Sequence, residues 1–315
     1  MMRITNKMMV NSALFNMQKN LRRTSELLEQ LETTRKLNRA SDNPADFVKS
    51  MRLRANIVEN TQYVRNMKDG IGFLDTLDSA LDDATSIIQR LRELIVYAGT
   101  DTNGPLERSA IKQEVAQLRE HMIVVANSNY GGKYIFAGTN VTERPYTDGE
   151  LWKGNRDDLL IEIGVGVTFA VNVDMSTFFG NPTKTDGGGF DDKGIFGFMW
   201  RLEDFLTKLN ENVPPNMSPR NLNADEIRHS LDELDGKIKE LLMERATIGA
   251  KSNRLEMQME RMLDMGVEYT ELLSQAEDAD IAEVITWLNM QESVYKASLA
   301  MTARVIQPTL IDFLR

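Results

Sequence analysis

Two histidines, His121 and His229, have the widest chemical reach in this chain, because imidazole titrates near neutral pH and ligates metals. Neither has a cysteine or a second histidine at ligand spacing, and both fall in helical patterns, so they read as surface or packing residues. Glu277-Asp278 and Asp280 offer carboxylates to a hard cation, which needs about 6–8 oxygen ligands. The remaining ligands of a calcium loop are missing there, and the acids read as a solvated helix junction. Gly164-Val165-Gly166 and Gly187–Gly189 lack a following helix at phosphate spacing and read as turns. No Gly-x-x-x-x-Gly-Lys-Ser/Thr loop and no Gly-x-Ser-x-Gly elbow is present, and the stretch around 140–190 has acids but no His or Cys. The expectation is a protein that is not an enzyme and uses no cofactor or metal.

A chain without catalytic groups must work through its surfaces, and composition says what kind. Of 315 residues, 42% are hydrophobic but only 7% aromatic, and 18 are methionine, a mix that suits long helices. Methionine in helical stripes fills cores or makes an adaptable packing surface. A net charge of −10 argues against nucleic acid as a partner. With no cysteine, disulfides and thiolate sites are excluded. The start lacks the apolar core of a cleaved secretory signal, and no run approaches the roughly 18 apolar residues of a membrane span. Export, if it occurs, is expected without a cleaved signal peptide, and no membrane partner is expected.

Apolar residues recur at 3–4 spacing over long stretches, the pattern of helices that pack on helices. Leu14, Met17, Leu21, Leu28 and Leu31 mark the first, with Thr24 as a polar interruption. This helix is expected to run to Ser41-Asp42-Asn43-Pro44. There Asn43 is placed to cap a second helix, with Pro44 at its first position and Asp46 in its first turn. The second helix carries Val64, Met67, Leu74, Leu77, Leu81, Ile88, Leu91 and Ile95 up to the turn formers Gly99–Pro105. A shorter helix holds Ile111, Val115, Met122 and Val125. Near Tyr134 the period changes to 2, and 159–163 and 167–173 read as a hairpin. Helix resumes with Phe198, Leu202, Phe205 and Leu209, and breaks at Pro214-Pro215 and Pro219. Asn223 with Glu226 is expected to cap a long helix running from Ile227 through Leu241, Leu255 and Tyr269 to Ala276.

The last helix, from Ile281, is apolar around most of its circumference and so needs partners on most sides. Residues 1–54 hold 11 Lys/Arg against 5 Asp/Glu and residues 271–315 hold 3 against 7, so the two ends attract. The fold expected is mainly α: a long coiled-coil-like helical rod with paired N- and C-terminal helices and a small β insertion domain. Subunit contacts are expected at Leu14, Met17, Leu21, Leu28, Leu31, Ile281, Val284, Leu288, Leu299, Val305, Leu310 and Phe313. A C-terminal helix of this kind orders fully only when its neighbours arrive.

Four segments carry a family resemblance: Asn38-Arg-Ala-Ser-Asp-Asn-Pro-Ala45, Asn127 through Tyr134-Ile-Phe-Ala-Gly-Thr139, Arg245 through Glu256, and Asp280 through Ser298 with Thr309–Arg315. In order and at the right ends, they resemble the flagellin superfamily over nearly the whole chain. The missing Arg-Leu-Ser-Ser-Gly stretch, and Tyr-Ile-Phe-Ala-Gly-Thr in place of Thr-Gln-Phe-Asn-Gly, are similar to its hook–filament junction branch rather than to filament subunits. The resemblance implies an extracellular flagellar component exported by the type III route. It implies contacts with copies of itself, an adjacent hook-associated protein, flagellin and an export chaperone. It also implies nested domains: 1–42 with 278–315 as a terminal polymerisation domain, 43–140 with 190–277 as a helical rod, and 141–189 as a β insertion. A flagellin-like filament subunit and an unrelated coiled-coil scaffold are the alternatives.

Overall fold

A computed structural model describes residues 6–98, 105–146, 152–180, 194–211 and 220–306. The turn formers at 99–104, Gly187–Gly189, Pro214-Pro215, Pro219 and Thr309–Arg315 lie outside the described residues. In chain order the elements are α1 (Asn6–Thr33), α2 (Pro44–Ala98), α3 (Pro105–Ala126), β1 (Asn129–Tyr130), β2 (Lys133–Tyr134), β3 (Leu160–Gly164) and β4 (Val167–Ala170). They continue with α4 (Ser176–Phe179), α5 (Ile195–Glu211), α6 (Arg220–Glu277) and α7 (Ile281–Ile306). The chain divides into two compact units, Met1–Thr61 with Asp264–Arg315, and Gln62–Leu263.

In the first unit α1 stops at Thr33, well before the break expected at Ser41. Thr34 takes the left-handed conformation with φ 59°, which no helix continues, and residues 34–43 form an irregular elbow. At its far end Asn43 Oδ1 accepts the amides of Ala45 at 3.2 Å and Asp46 at 3.4 Å, and its own amide donates to Asp46 at 2.6 Å. This is the expected cap, and it starts α2 at Pro44. Asp280 does the same for α7, accepting from Ala282 and Glu283 at 2.9 and 3.1 Å.

In the second unit α2 buries Met67, Leu74, Leu81, Ile88 and Ile95, and α6 buries Leu234, Leu241, Ile248, Leu255 and Met262. Each set repeats every seventh residue, the signature of a supercoil seam. Within this unit the two helices run antiparallel. Arg245 bridges Asp78 at 2.9 Å and Asp82 at 2.7 Å, Arg92 meets Asp235 at 3.1 Å, and Leu255 lies beside Gly70. Arg90–Glu114 joins α2 to α3 and Arg201–Glu233 joins α5 to α6. Arg119–Glu203, between α3 and α5, is buried at 3.0 Å, and the Arg119 guanidinium also stacks 4.0 Å from the Trp200 ring centroid. Helix α6 begins at Arg220, ahead of the expected Asn223 cap.

The predicted hairpin forms as β3 and β4, antiparallel, with Leu160 opposite Ala170 and Glu162 opposite Thr168. β4 is shorter than expected, although the Val171 amide still donates to Leu159 O at 3.0 Å. The described part of 141–189 belongs to the second unit and packs into it. A Cβ on Gly70 would sit 2.7 Å from Ile161 and 3.3 Å from Leu255 and Val171, so the glycine is what lets the hairpin approach α2. Helix side chains also engage two of its carbonyls: Asn66 donates to Glu162 O at 2.9 Å and Lys251 to Asn172 O at 2.7 Å. A second, two-residue hairpin joins β1 to β2 through Gly131-Gly132 at φ 56° and 81°, the pair of positive values a tight hairpin turn demands. Beyond it the turn Ile135-Phe136-Ala137 is buried. Phe136, Tyr146, Phe178, Phe179 and Phe196 form an aromatic cluster with neighbouring centroids 5.1–5.9 Å apart.

Because Leu255 is fully buried in the seam, Leu255→Ala is expected to cost about 2–5 kcal/mol in urea denaturation. Met257 on the same helix is 65% exposed, and Met257→Ala should stay within about 0.5 kcal/mol.

Candidate subunit interface and the joint behind it

In the first unit the elbow after α1 meets the break between α6 and α7. The Lys36 amide donates to Glu277 O at 2.7 Å, the Ala279 amide to Thr34 O at 3.0 Å, and Arg35 pairs with Asp278 as an isolated antiparallel bridge. Glu277 stands at the centre with its side chain 6% exposed. Arg54 of α2 grips it with two bonds, 2.8 and 2.6 Å, and Arg35 lies 3.7 Å away. The Lys36 ammonium caps Gln275 O at 2.8 Å. Burial acts to raise the Glu277 pKa, but hydrogen bonds from Arg54 and Ser50, with the charges of Arg54 and Arg35, together hold it below the usual value. The acidic stretch read as a solvated junction is therefore solvated only at Asp278 and Asp280. Glu277 is buried among basic partners that lie far from it in sequence.

From this joint α1 and α7 pack against each other. Along that contact α1 places the partly buried Val10, Ala13, Met17, Asn20, Thr24, Leu27 and Leu31, and α7 places the buried Val284, Gln291 and Thr302 with the partly buried Leu288, Tyr295 and Ser298. Both follow 3–4 spacing, so this is a coiled-coil seam, but an unusually polar one. Asn20 donates to Ser298 Oγ at 3.1 Å, and Gln291 donates to Asn20 O at 3.4 Å. Of the residues expected at subunit contacts, Met17, Leu31, Val284 and Leu288 lie along this in-chain seam. Leu14, Leu21, Leu28, Ile281 and Leu299 face away from it and are exposed. The Val305 side chain, Leu310 and Phe313 lie outside the described residues. Thr24, read as an interruption, is a regular member of the seam. Its phase, set by Val10, Ala13, Asn20 and Leu27, was the signal available for finding it.

Apolar rows also stand exposed beside the seam. On α1, Leu14, Leu21 and Leu28 recur every seventh residue, with Leu21 54% exposed. On α7, Trp287, Met290, Val294, Ala297 and Met301 keep 3–4 spacing and are all exposed, Met301 to 62%. Among the described residues no group of three or more His, Cys, Asp or Glu is placed to hold a metal, and no helix is long and apolar enough to cross a membrane.

The family follows from the two ends of the chain. Residues 4–141 match the bacterial flagellin N-terminal helical region, and residues 231–314 match the flagellin C-terminal helical region. The chain belongs to the flagellin family. It is a component of the flagellum, in a family of structural proteins. Among its relatives, a flagellin of Bacillus subtilis is 25% identical over 97% of this chain and 97% of its own length. The flagellar hook-associated protein 3 of Salmonella typhimurium is 24% identical over 94% of this chain and 95% of its own. In fold it is similar to a flagellar hook-associated protein from Vibrio parahaemolyticus, with a TM-score of 0.62 and 16% identity, covering 75% of this chain and all of that one.

The joint makes the first unit acid-sensitive in a defined direction. A carboxylate with a depressed folded pKa contributes stability that is complete above its usual value of 4.5 and is lost as pH falls through the lower folded value. Protection of the Lys36 and Ala279 amides, corrected for intrinsic exchange, should hold from about pH 8 to 5 and fall below about pH 4. Hydrogen exchange read by NMR checks it.

Proposed function

We propose that this chain is a structural subunit of the junction between flagellar hook and filament, and that it works by packing its α1–α7 pair against the pairs of neighbouring copies. One observation carries this reading: apolar rows of α1 and α7 stay exposed beside a seam that mixes apolar residues with Asn20, Thr24, Gln291, Ser298 and Thr302. A monomer built for itself would bury such rows. In water, exposed rows at 3–4 spacing are stabilised by burial against another helix, and burial contributes about 25 cal/mol per Å² of apolar area. Nine of the twelve interface positions expected from sequence divide accordingly, with Leu14, Leu21, Leu28, Ile281 and Leu299 facing neighbours and Met17, Leu31, Val284 and Leu288 joining the pair. On this reading the terminal helices form a polymerisation domain, the helical stretches between them a rod and 141–189 an insertion. The partners are copies of the chain, an adjacent hook-associated protein, flagellin and an export chaperone. The product acts outside the cell and performs no catalysis.

A filament subunit is the second reading, favoured by the 25% identity to a flagellin over nearly the whole chain. Seeding separates the two. A filament subunit grows long filaments from its own fragments, whereas a junction subunit adds to prepared hook ends and stops. Long self-grown filaments of the purified chain in electron micrographs would overturn the junction reading.

Leu21→Asp and Met290→Asp each place a charge in an outward row, where burial without a partner costs on the order of several kcal/mol. Both variants are expected to melt within about 2 °C of the parent as monomers, and to fail to attach to hook ends. Normal attachment of either variant would remove that row from the interface.

A further inference from the structure

The packing of the seam between α1 and α7 does little by itself to hold the two helices together. Asn20, Thr24, Gln291, Ser298 and Thr302 occupy positions where a self-sufficient coil places Leu or Ile, and most of its apolar members are only half-buried. At the base of the pair stands a much better defined contact. Glu277 is buried at the last residue of α6, four residues before α7 starts, and Arg35 stands two residues after α1 ends. Every group that faces the carboxylate comes from a different stretch of chain: Ser50 and Arg54 from α2, Arg35 from the elbow. Asp278, hydrogen-bonded to Ser274, and Asp280, engaged in capping α7, complete the surroundings. The elbow itself is braced independently, since Asp42 accepts the amides of Asn38 at 3.1 Å and Arg39 at 2.8 Å, and Arg39 bridges Glu29 at 3.0 Å.

We propose that the Glu277 carboxylate is a latch: it locks the elbow to the α6–α7 break, so that α1 and α7 are held in register from their base, and removing its charge releases the two helices from each other as one event. The physical ground is a contrast in strength. A buried carboxylate holding a two-bond guanidinium contact and a hydroxyl is strongly destabilised by loss of its charge, because two arginines are then left facing a neutral group. A polar coiled-coil seam opens at little cost, since its hydrogen-bonding groups find water instead. With the base tied, closing the seam costs little chain entropy. With the base open, two separate helices must find each other. The latch therefore controls whether the outward rows of α1 and α7 are presented together as one surface. It is a property of the single chain and does not depend on which partner that surface meets.

Hydrogen exchange by mass spectrometry on the full chain tests this. In the parent, peptides from 6–33, 34–43 and 281–306 should be protected together. In Glu277→Gln all three should exchange at least about tenfold faster, while peptides from 62–263 keep parental rates. The exchanged pair Arg54→Glu with Glu277→Lys should recover part of the protection, incompletely because Arg35 then faces a cation. The latch is overturned if α1 and α7 keep parental protection in Glu277→Gln, for the seam then holds itself. Lack of protection of α1 and α7 in the parent also overturns it, since nothing is then latched. So does deprotection of 62–263 in the variant, which would make the carboxylate a general stabiliser, and so does an exchanged pair that recovers nothing.

Discussion

A helix of 55 or 58 residues in water owes its persistence to the stripe it buries, because its own backbone hydrogen bonds merely replace bonds to solvent. In this chain the stripe is a seven-residue repeat, and most of the structure follows from where that repeat is apolar. Along the second unit it is apolar without exception from Met67 to Ile95 on α2 and from Leu234 to Met262 on α6. The two helices are thereby committed to each other, and the β segment, α3 and α5 settle around them. In the terminal pair the seam mixes apolar residues with Asn20, Thr24, Gln291, Ser298 and Thr302, and further apolar residues stand exposed beside it.

The terminal pair is joined less by apolar packing than the second unit is. Hydrogen bonds, among them Asn20 with Ser298, and the charged joint around Glu277 supplement half-buried apolar contacts. A seam of this kind is selective before it is strong, since a buried amide tolerates few registers.

Much of this was legible in the sequence, for identifiable reasons. Long apolar periodicity reports helix existence well, so α1, α2, α3, α5, α6 and α7 were all expected, as were the Asn43 cap and the 164–166 turn. Boundaries were read less well. The end of α1 at Thr33 depends on a left-handed Thr34 held by tertiary bonds to 278–280, and no local signal announces those. The positions expected at subunit contacts fall on two faces, Met17, Leu31, Val284 and Leu288 along the in-chain seam and Leu14, Leu21, Leu28, Ile281 and Leu299 exposed beside it, because apolar spacing alone does not say which neighbour a face meets. Glu277 looked like one of three solvated acids, and only the fold brings Arg35 and Arg54 to it. The aromatic cluster of Phe136, Tyr146, Phe178, Phe179 and Phe196 draws on four separate stretches of chain, and periodicity cannot report such a meeting.

The small hairpin has a further consequence. Its carbonyls at Glu162 and Asn172 are taken by Asn66 and Lys251, side chains of the two long helices. A two-stranded sheet otherwise offers open backbone acceptors on which a stray strand can nucleate. Any protein delivered in many copies to one crowded place runs that risk, as each molecule's exposed margin is a template for the next. Occupying those acceptors with side chains from within the same molecule leaves fewer open acceptors on that margin for a stray strand.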